Sequence, residues 1–325
     1  MTGVNEFATV FGAVVPVLGL MVVGFFLRRV SWLTPEADQS LLRISVNVLL
    51  PALIFENVLG NTALRQVENL VFPPLVGVVT TLTGIGLAWF AARLAGLTEP
   101  RARRTFALTA GLHNYAYVPL PLCLLLFDSR TVGVLLVHNV GVEITLWTVG
   151  VAVLSGRSLA GNWRRAINAP LLALALALML NFLGSYLAVP GFLALPVKLG
   201  LTSIHWLAQS AIPLALIMIG AIVAEYFPEL RGGQFFRVAS LAIAVRLVIM
   251  PVLFLLLARY VPWSLELKHV IIVQGAMASA VLPIALTKHY CGDPRIALQT
   301  VLSTTFAGLL TIPFWIRAGD WWCGL

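Results

Sequence analysis

Ten stretches of roughly twenty apolar residues, parted by short polar interruptions, leave this chain little choice but a lipid bilayer, whose hydrocarbon core one helix of about that length spans. They run over roughly 7–27, 41–59, 70–95, 105–127, 131–154, 168–187, 201–224, 238–258, 269–288 and 296–316. Together they fill most of the 325 residues, of which 60% are hydrophobic and 10% charged, with a mean hydropathy of +0.95. A soluble fold of this size cannot bury so much apolar surface. The runs are continuous rather than alternating, which excludes the strands of about ten residues that build a membrane barrel. The expected fold class is therefore all-α integral membrane, with ten transmembrane helices. Connections are short, so residues 1–325 read as a single membrane domain without an extramembrane module. Met1 to Thr9 lacks the basic start of a secretory signal, and the first run ends in Arg28-Arg29, which predicts a retained first helix.

The net charge of +8 would suit a nucleic acid or another acidic polymer as partner, but its placement explains it better. Alternate loops hold Arg28, Arg29 and Arg43; Arg93, Arg101, Arg103 and Arg104; Arg157, Arg164 and Arg165; Arg231 and Arg237; Lys288 and Arg295. These fourteen face six on the opposite side: Arg65, Arg130, Lys198, Arg259, Lys268 and Arg317. Basic loops stay cytoplasmic, which puts both termini outside a plasma or bacterial inner membrane. Glu56, Arg43 and Arg93 fall near helix ends and are expected in the headgroup region. Cys123, Cys291 and Cys323 are too few and scattered for a disulfide framework or a zinc site. No metal, no cofactor and no nucleic acid is expected; the lipid bilayer is the partner that composition demands.

Pro51 and Pro213 lie 162 residues apart, as do Pro121 and Pro283, and 162 is half the chain. Each pair falls in corresponding segments, with Leu50-Pro51-Ala52 set against Ile212-Pro213-Leu214 and Leu120-Pro121-Leu122 against Leu282-Pro283-Ile284. Five helices per half make residues 1–160 and 161–325 two repeats of opposite orientation. Inverted repeats with interrupted helices are the plan of secondary transporters, whose sites lie at the breaks near the midplane.

The fourth segment carries Asn114 seven residues before Pro121, about two turns, so its amide shares a face with a proline break. Freed backbone at this depth needs other protein groups or a water-lined cavity. The competing reading is a proline-kinked helix with Asn114 serving a neighbour. In the ninth segment Met277, Ser279 and Pro283 sit among small residues that would let another backbone approach. Broken fourth and ninth helices could then cross and present their dipole ends to a ligand, with an anion drawn to the N-terminal half-ends. Glu143 in the fifth segment and Arg246 in the eighth each cost roughly 2.5–3.5 kcal/mol if unpaired in the membrane, which predicts that they meet as a coupled polar centre. Besides a structural ion pair, Glu143 could titrate and Arg246 could clamp a substrate carboxylate. His113 and His138, each beside an asparagine, are candidate proton relays. Coupling to H+ or Na+ is open. No catalytic motif, nucleophile arrangement or nucleotide-binding loop is present, so the chain reads as no enzyme and as driven by gradients.

At these residues the chain resembles the auxin efflux carrier family, which includes plant auxin exporters and bacterial malonate or malate permease-like relatives. The likeness runs through Val15-Pro16-Val17, Asn47 to Phe55, Asn114 with Pro121-Leu122, and Glu143 with Trp147, where the plant carriers have Gln in place of the acid. It continues through Ile167-Asn168-Ala169-Pro170, Arg246 with Pro251, and Val281 to Pro294. The resemblance implies two inverted five-helix repeats, with helices one, two, six and seven as scaffold, and the rest as a mobile transport domain. It further implies elevator-type alternating access, a small organic anion as substrate at the crossing of helices four and nine, and a homodimer through the scaffold. Met277-Ala278 stands where the family commonly has Met-Pro or Leu-Pro, which implies a milder break on that side. The plant exporters' long cytosolic loop is missing. The rival reading is a sodium/proton antiporter of related architecture, which would be expected to place a carboxylate at the crossing.

Overall fold

Continuous apolar runs in lipid satisfy their backbone groups within helices, and the computed structural model, which describes residues 2–94, 96–156, 167–184, 190–226 and 235–325, is helical throughout its elements. Arg157, Arg164, Arg165 and Arg231 of the charge pattern, and the end of the sixth segment at 185–187, lie outside the described residues. In chain order the helices are α1 (Thr2–Arg29), α2 (Pro35–Val58), α3 (Glu68–Leu94), α4 (Pro100–Gly111), α5 (Pro119–Leu126) and α6 (Ser129–Ser155). There follow α7 (Ala169–Leu183), α8 (Gly191–Tyr226), α9 (Phe235–Tyr260), α10 (Leu265–Ala276), α11 (Leu282–His289) and α12 (Pro294–Cys323). Among the described residues α2, α3, α6, α8, α9 and α12 contain six stretches long and apolar enough to cross a bilayer, as a multi-pass membrane protein requires. Several run longer than their apolar runs predict: α2 begins at Pro35, α8 at Gly191, and α12 continues to Cys323.

Prolines shape the long helices. Pro51 and Pro251 cannot donate to the carbonyl four residues back, and each follows a widened π turn, at Ser45–Leu49 and Val245–Ile249. The freed carbonyl of Leu247 accepts instead from Trp315 Nε1 of α12 at 2.7 Å. The fourth and ninth segments are interrupted outright. Residues 112–118 separate α4 from α5, and 277–281 separate α10 from α11. The two pairs match in length, 12 residues then 8, and in each the short helix has proline in its first turn. Proline starts a helix without cost because the first N–H groups have no partner there. Pro121 and Pro283 thus begin the second half-helices, while the breaks lie just before them. The break at Met277-Ala278 is shorter than its counterpart, yet complete, since α10 ends at Ala276 without a proline at 278.

The helices pack in two sets. α1 lies along α8, α8 along α2, and α2 along α7; in the other set α3 packs on α4 and α6, α10 on α9 and α12, and α12 on α4, and the sets meet where α1 lies against α12 and α2 against α6. Glycines allow the closest approaches. Within the first set Gly24 meets the backbone of Ile217 and Gly220 that of Met21; within the second, Gly77 and Gly141 bring α3 and α6 together and Gly84 abuts Gly111 of α4. At the edge of the first set Glu56, expected among headgroups, pairs with His205 of α8.

A methyl group at position 84 would strike the Gly111 backbone, whereas one at position 86, on the same helix, would meet nothing within 4 Å. Gly84→Ala is therefore expected to destabilise by about 1–3 kcal/mol, the usual range for overpacking. Gly86→Ala should leave the thermal unfolding of purified protein unchanged or slightly raised.

Candidate functional site

A break in a membrane helix leaves N–H and C=O groups that must find partners, and here the two breaks partner each other. The Asn114 N–H donates to Ala278 O at 2.8 Å and the Ala280 N–H to Leu112 O at 3.0 Å, which sets His113 opposite Ser279 in an antiparallel bridge. Side chains complete the junction. Gln274 Nε2 donates to Tyr115 O and to Asn139 Oδ1 of α6, both at 3.0 Å, and the Ser279 N–H donates to Thr304 Oγ1 of α12 at 3.2 Å. The Tyr115 carbonyl, freed by the break, is thereby satisfied. Gln274 and Thr304 escape a search for motifs, although a lone amide in Val273-Gln274-Gly275 is a visible polar residue in an apolar run.

The crossing gathers Asn114, Met277, Ser279 and His113, all buried. Pro121 and Pro283 flank it in the first turns of α5 and α11. His113 lies against Tyr115, Phe254 and His138, with ring centres 6.5, 5.8 and 6.1 Å away. His138 reaches Asn139 Oδ1 at 3.4 Å. Behind the crossing Arg246, fully buried, sits 5.7 Å from the Phe254 ring and directs one Nη2–H at Gly275 O, 3.4 Å away. Gly275 is the penultimate residue of α10, so the guanidinium lies at a helix C-terminus, where positive charge is favoured.

Glu143 is elsewhere. Among the described residues no ion pair joins it to Arg246, which corrects the expectation of a shared centre. The helix explains the separation. His138 and Glu143, five residues apart, point about 140° away from each other; His138 faces His113 while Glu143 faces α2 and α7. There its Oε2 accepts from Asn168 Nδ2 at 2.6 Å, and Asn168 Oδ1 accepts from the Leu171 N–H at 2.9 Å as the N-cap of α7.

Three cavities adjoin the crossing. The largest, about 440 Å³, lies between the two helix sets and is lined by Leu42, Met218, Ile219 and Ile222 on one side and Tyr117, Val281 and Leu282 on the other. It reaches the N-terminal end of α11. Asp38 and Glu225 also line it, and Arg28 bridges both carboxylates, binding Glu225 at 3.2 Å. A second cavity, about 30 Å³, holds the Asn114 side chain against Met21, Ile219 and Ala278. A third, about 40 Å³, is lined by Glu143, Asn139, Tyr115, Leu50 and Pro170. No group of three or more potential metal ligands occurs among the described residues.

The family described as membrane transport protein matches residues 9–163 and 158–316 of the chain. An uncharacterized transporter of Methanothermobacter thermautotrophicus is 26% identical over 312 residues, covering 93% of this chain and 96% of its own. An uncharacterized transporter of Methanocaldococcus jannaschii is 24% identical over 305 residues, covering 92% and 95%.

Because Gln274 and Asn139 share a hydrogen bond and Glu143 and Arg246 do not, two double-mutant cycles should diverge. Gln274→Leu with Asn139→Leu should be non-additive by about 0.5–3 kcal/mol in unfolding free energy, while Glu143→Gln with Arg246→Met should add within about 0.5 kcal/mol.

Proposed function

Since the chain belongs to the membrane transport protein family, that of the auxin efflux carriers, we propose that it is a secondary transporter of small organic anions working by elevator-type alternating access. The observation that carries this reading is the antiparallel crossing of two broken helices beside a cavity of about 440 Å³, within the size range of small-molecule sites. In this reading α4 with α5, and α10 with α11, each make one interrupted crossing, so the chain passes the membrane ten times. The halves 1–160 and 161–325 are then inverted repeats, a plan supported by the matched 12- and 8-residue half-helices. The set α1, α2, α7 and α8 is the scaffold, and the set holding the crossing moves against it.

An anion entering the cavity would meet the N-terminal end of α11, whose dipole favours negative charge. At the mouth Arg28 pairs with both Asp38 and Glu225 and offsets one of their two charges. Asn114, in the adjoining cavity of about 30 Å³ that shares Ile219 and Val281 with the large one, would supply the directional amide as the anion reaches the crossing. The walls are chiefly aliphatic and no basic side chain lines them, which favours a carboxylate with an apolar body over a compact dianion. The cavity opens on the side of Arg28, in the expected cytoplasmic set, so the state described would face inward, in a plasma or bacterial inner membrane with both termini outside.

Purified protein in proteoliposomes, given radiolabelled malonate, malate and indole-3-acetate, should transport at least one carboxylate, with indole-3-acetate favoured over the two dianions. Asn114→Ala should fold, insert and lose at least about tenfold in transport, the effect of about 1.4 kcal/mol. Cation exchange without any organic substrate would refute the assignment.

A further inference from the structure

We propose that Glu143 and Asn168 form a proton-gated latch between the two helix sets: the ionised carboxylate holds the described state, and protonation of Glu143 releases the crossing-bearing set to move. The proposal rests on the reading that the sets shift against each other. Its basis is a hydrogen bond that bridges them. Glu143 belongs to α6, which packs with α3 beside the crossing, and Asn168 caps α7, which packs on α2.

Asn168 can play only one part. Its Oδ1 is committed to the Leu171 N–H, so the group it turns toward Glu143 is the Nδ2 donor, which suits an ionised carboxylate. The cap also anchors Asn168 to the first turn of α7. If α6 moved along α7 by a single turn, about 5.4 Å, Asn168 could not follow, and Glu143 would lose its donor. The wall it would slide along is aliphatic, with Leu50, Ile54, Leu171 and Leu174 lining the cavity around it. An ionised carboxylate with no partner in such surroundings is strongly disfavoured. A neutral one is not, so the charge must be discharged for the move to occur.

Among the described residues no cation stands by to do that. The titratable groups facing Glu143 are Tyr115 and Tyr117 of the first break. The described residues of α7, and those of α2 that line the cavity, bring none; His138, on the same helix, turns toward His113. Arg246 is engaged at Gly275 behind the crossing. Among the described residues, that leaves a proton from water as the counter-charge.

The test needs no substrate. In a Cys291→Ser background, which removes the exposed cysteine and leaves the buried Cys123 and Cys323, spin labels at Leu125 on α5 and Leu172 on α7 report the separation of the sets by pulsed electron resonance in nanodiscs. One distance is expected at high pH, with a second growing as pH falls. Glu143→Gln, neutral but still able to accept from Asn168, should show the second distance at every pH. Asn168→Asp keeps the cap and replaces the donor with a second acid, so the midpoint should rise by about one pH unit or more; Asn168→Ser, which also caps, serves if the aspartate variant misfolds. A single distance at all pH values, a Glu143→Gln variant titrating like the parent, or an unshifted midpoint when Asn168 is replaced overturns the latch. If the labels titrate through Glu143 while proteoliposomes take up none of labelled malonate, malate and indole-3-acetate, the latch stands and the organic-anion reading falls.

Discussion

Two backbone hydrogen bonds between broken helices govern the rest of this structure. A helix interrupted in mid-membrane exposes N–H and C=O groups at a cost of several kcal/mol each unless they are met. One break could be repaired by side chains and water. Two breaks running in opposite directions repair each other, as the Asn114 to Ala278 and Ala280 to Leu112 bonds do. That solution demands close backbone approach, which accounts for the small residues of the second break, and it demands a polar shell, which Gln274, Asn139 and Thr304 supply. It also fixes where four helix ends converge, and so where a charged ligand would be felt.

The same constraint orders the surroundings. The crossing sits in the set of helices cemented by Gly77, Gly84, Gly111 and Gly141, while the cavity beside it is walled on its far side by α2 and α8. In the proposed elevator motion this seam, chiefly aliphatic but with Asp38, Ser45 and Glu225 on its far wall, is the surface along which the sets would slide. Glu143 with Asn168 is a polar contact between the sets, and its strength depends on a charge.

Much of this was legible in the amino-acid sequence, for physical reasons. Apolar run length marks membrane helices because lipid thickness is fixed, and the described part of every apolar segment is chiefly helical, with breaks at 112–118 and 277–281 in the fourth and ninth. The proline pair Pro121 and Pro283 pointed to the interrupted segments, although proline marks the start of the second half-helix rather than the gap. Met277-Ala278 shows why. The second break forms without a proline at 278, since its backbone is satisfied by Leu112 and Asn114 of the other break, a long-range partnership that no local pattern announces. The pairing of Glu143 with Arg246 failed for a related reason. Cost arguments say that a buried charge needs a partner, yet they do not say which; an asparagine cap served one and a helix C-terminus the other.

The central claim is that the cavity beside the crossing is where an organic anion binds. Leu282→Cys, in the Cys291→Ser background, places a thiol on the cavity wall at the start of α11. The most direct measurement is its rate of alkylation by a membrane-impermeant maleimide in inside-out vesicles, with and without saturating indole-3-acetate or malonate. The account predicts that the thiol is reached from the cytoplasmic face, and that a transported carboxylate slows its labelling severalfold while Asn114→Ala abolishes that protection. Labelling that no transported carboxylate alters would contradict it.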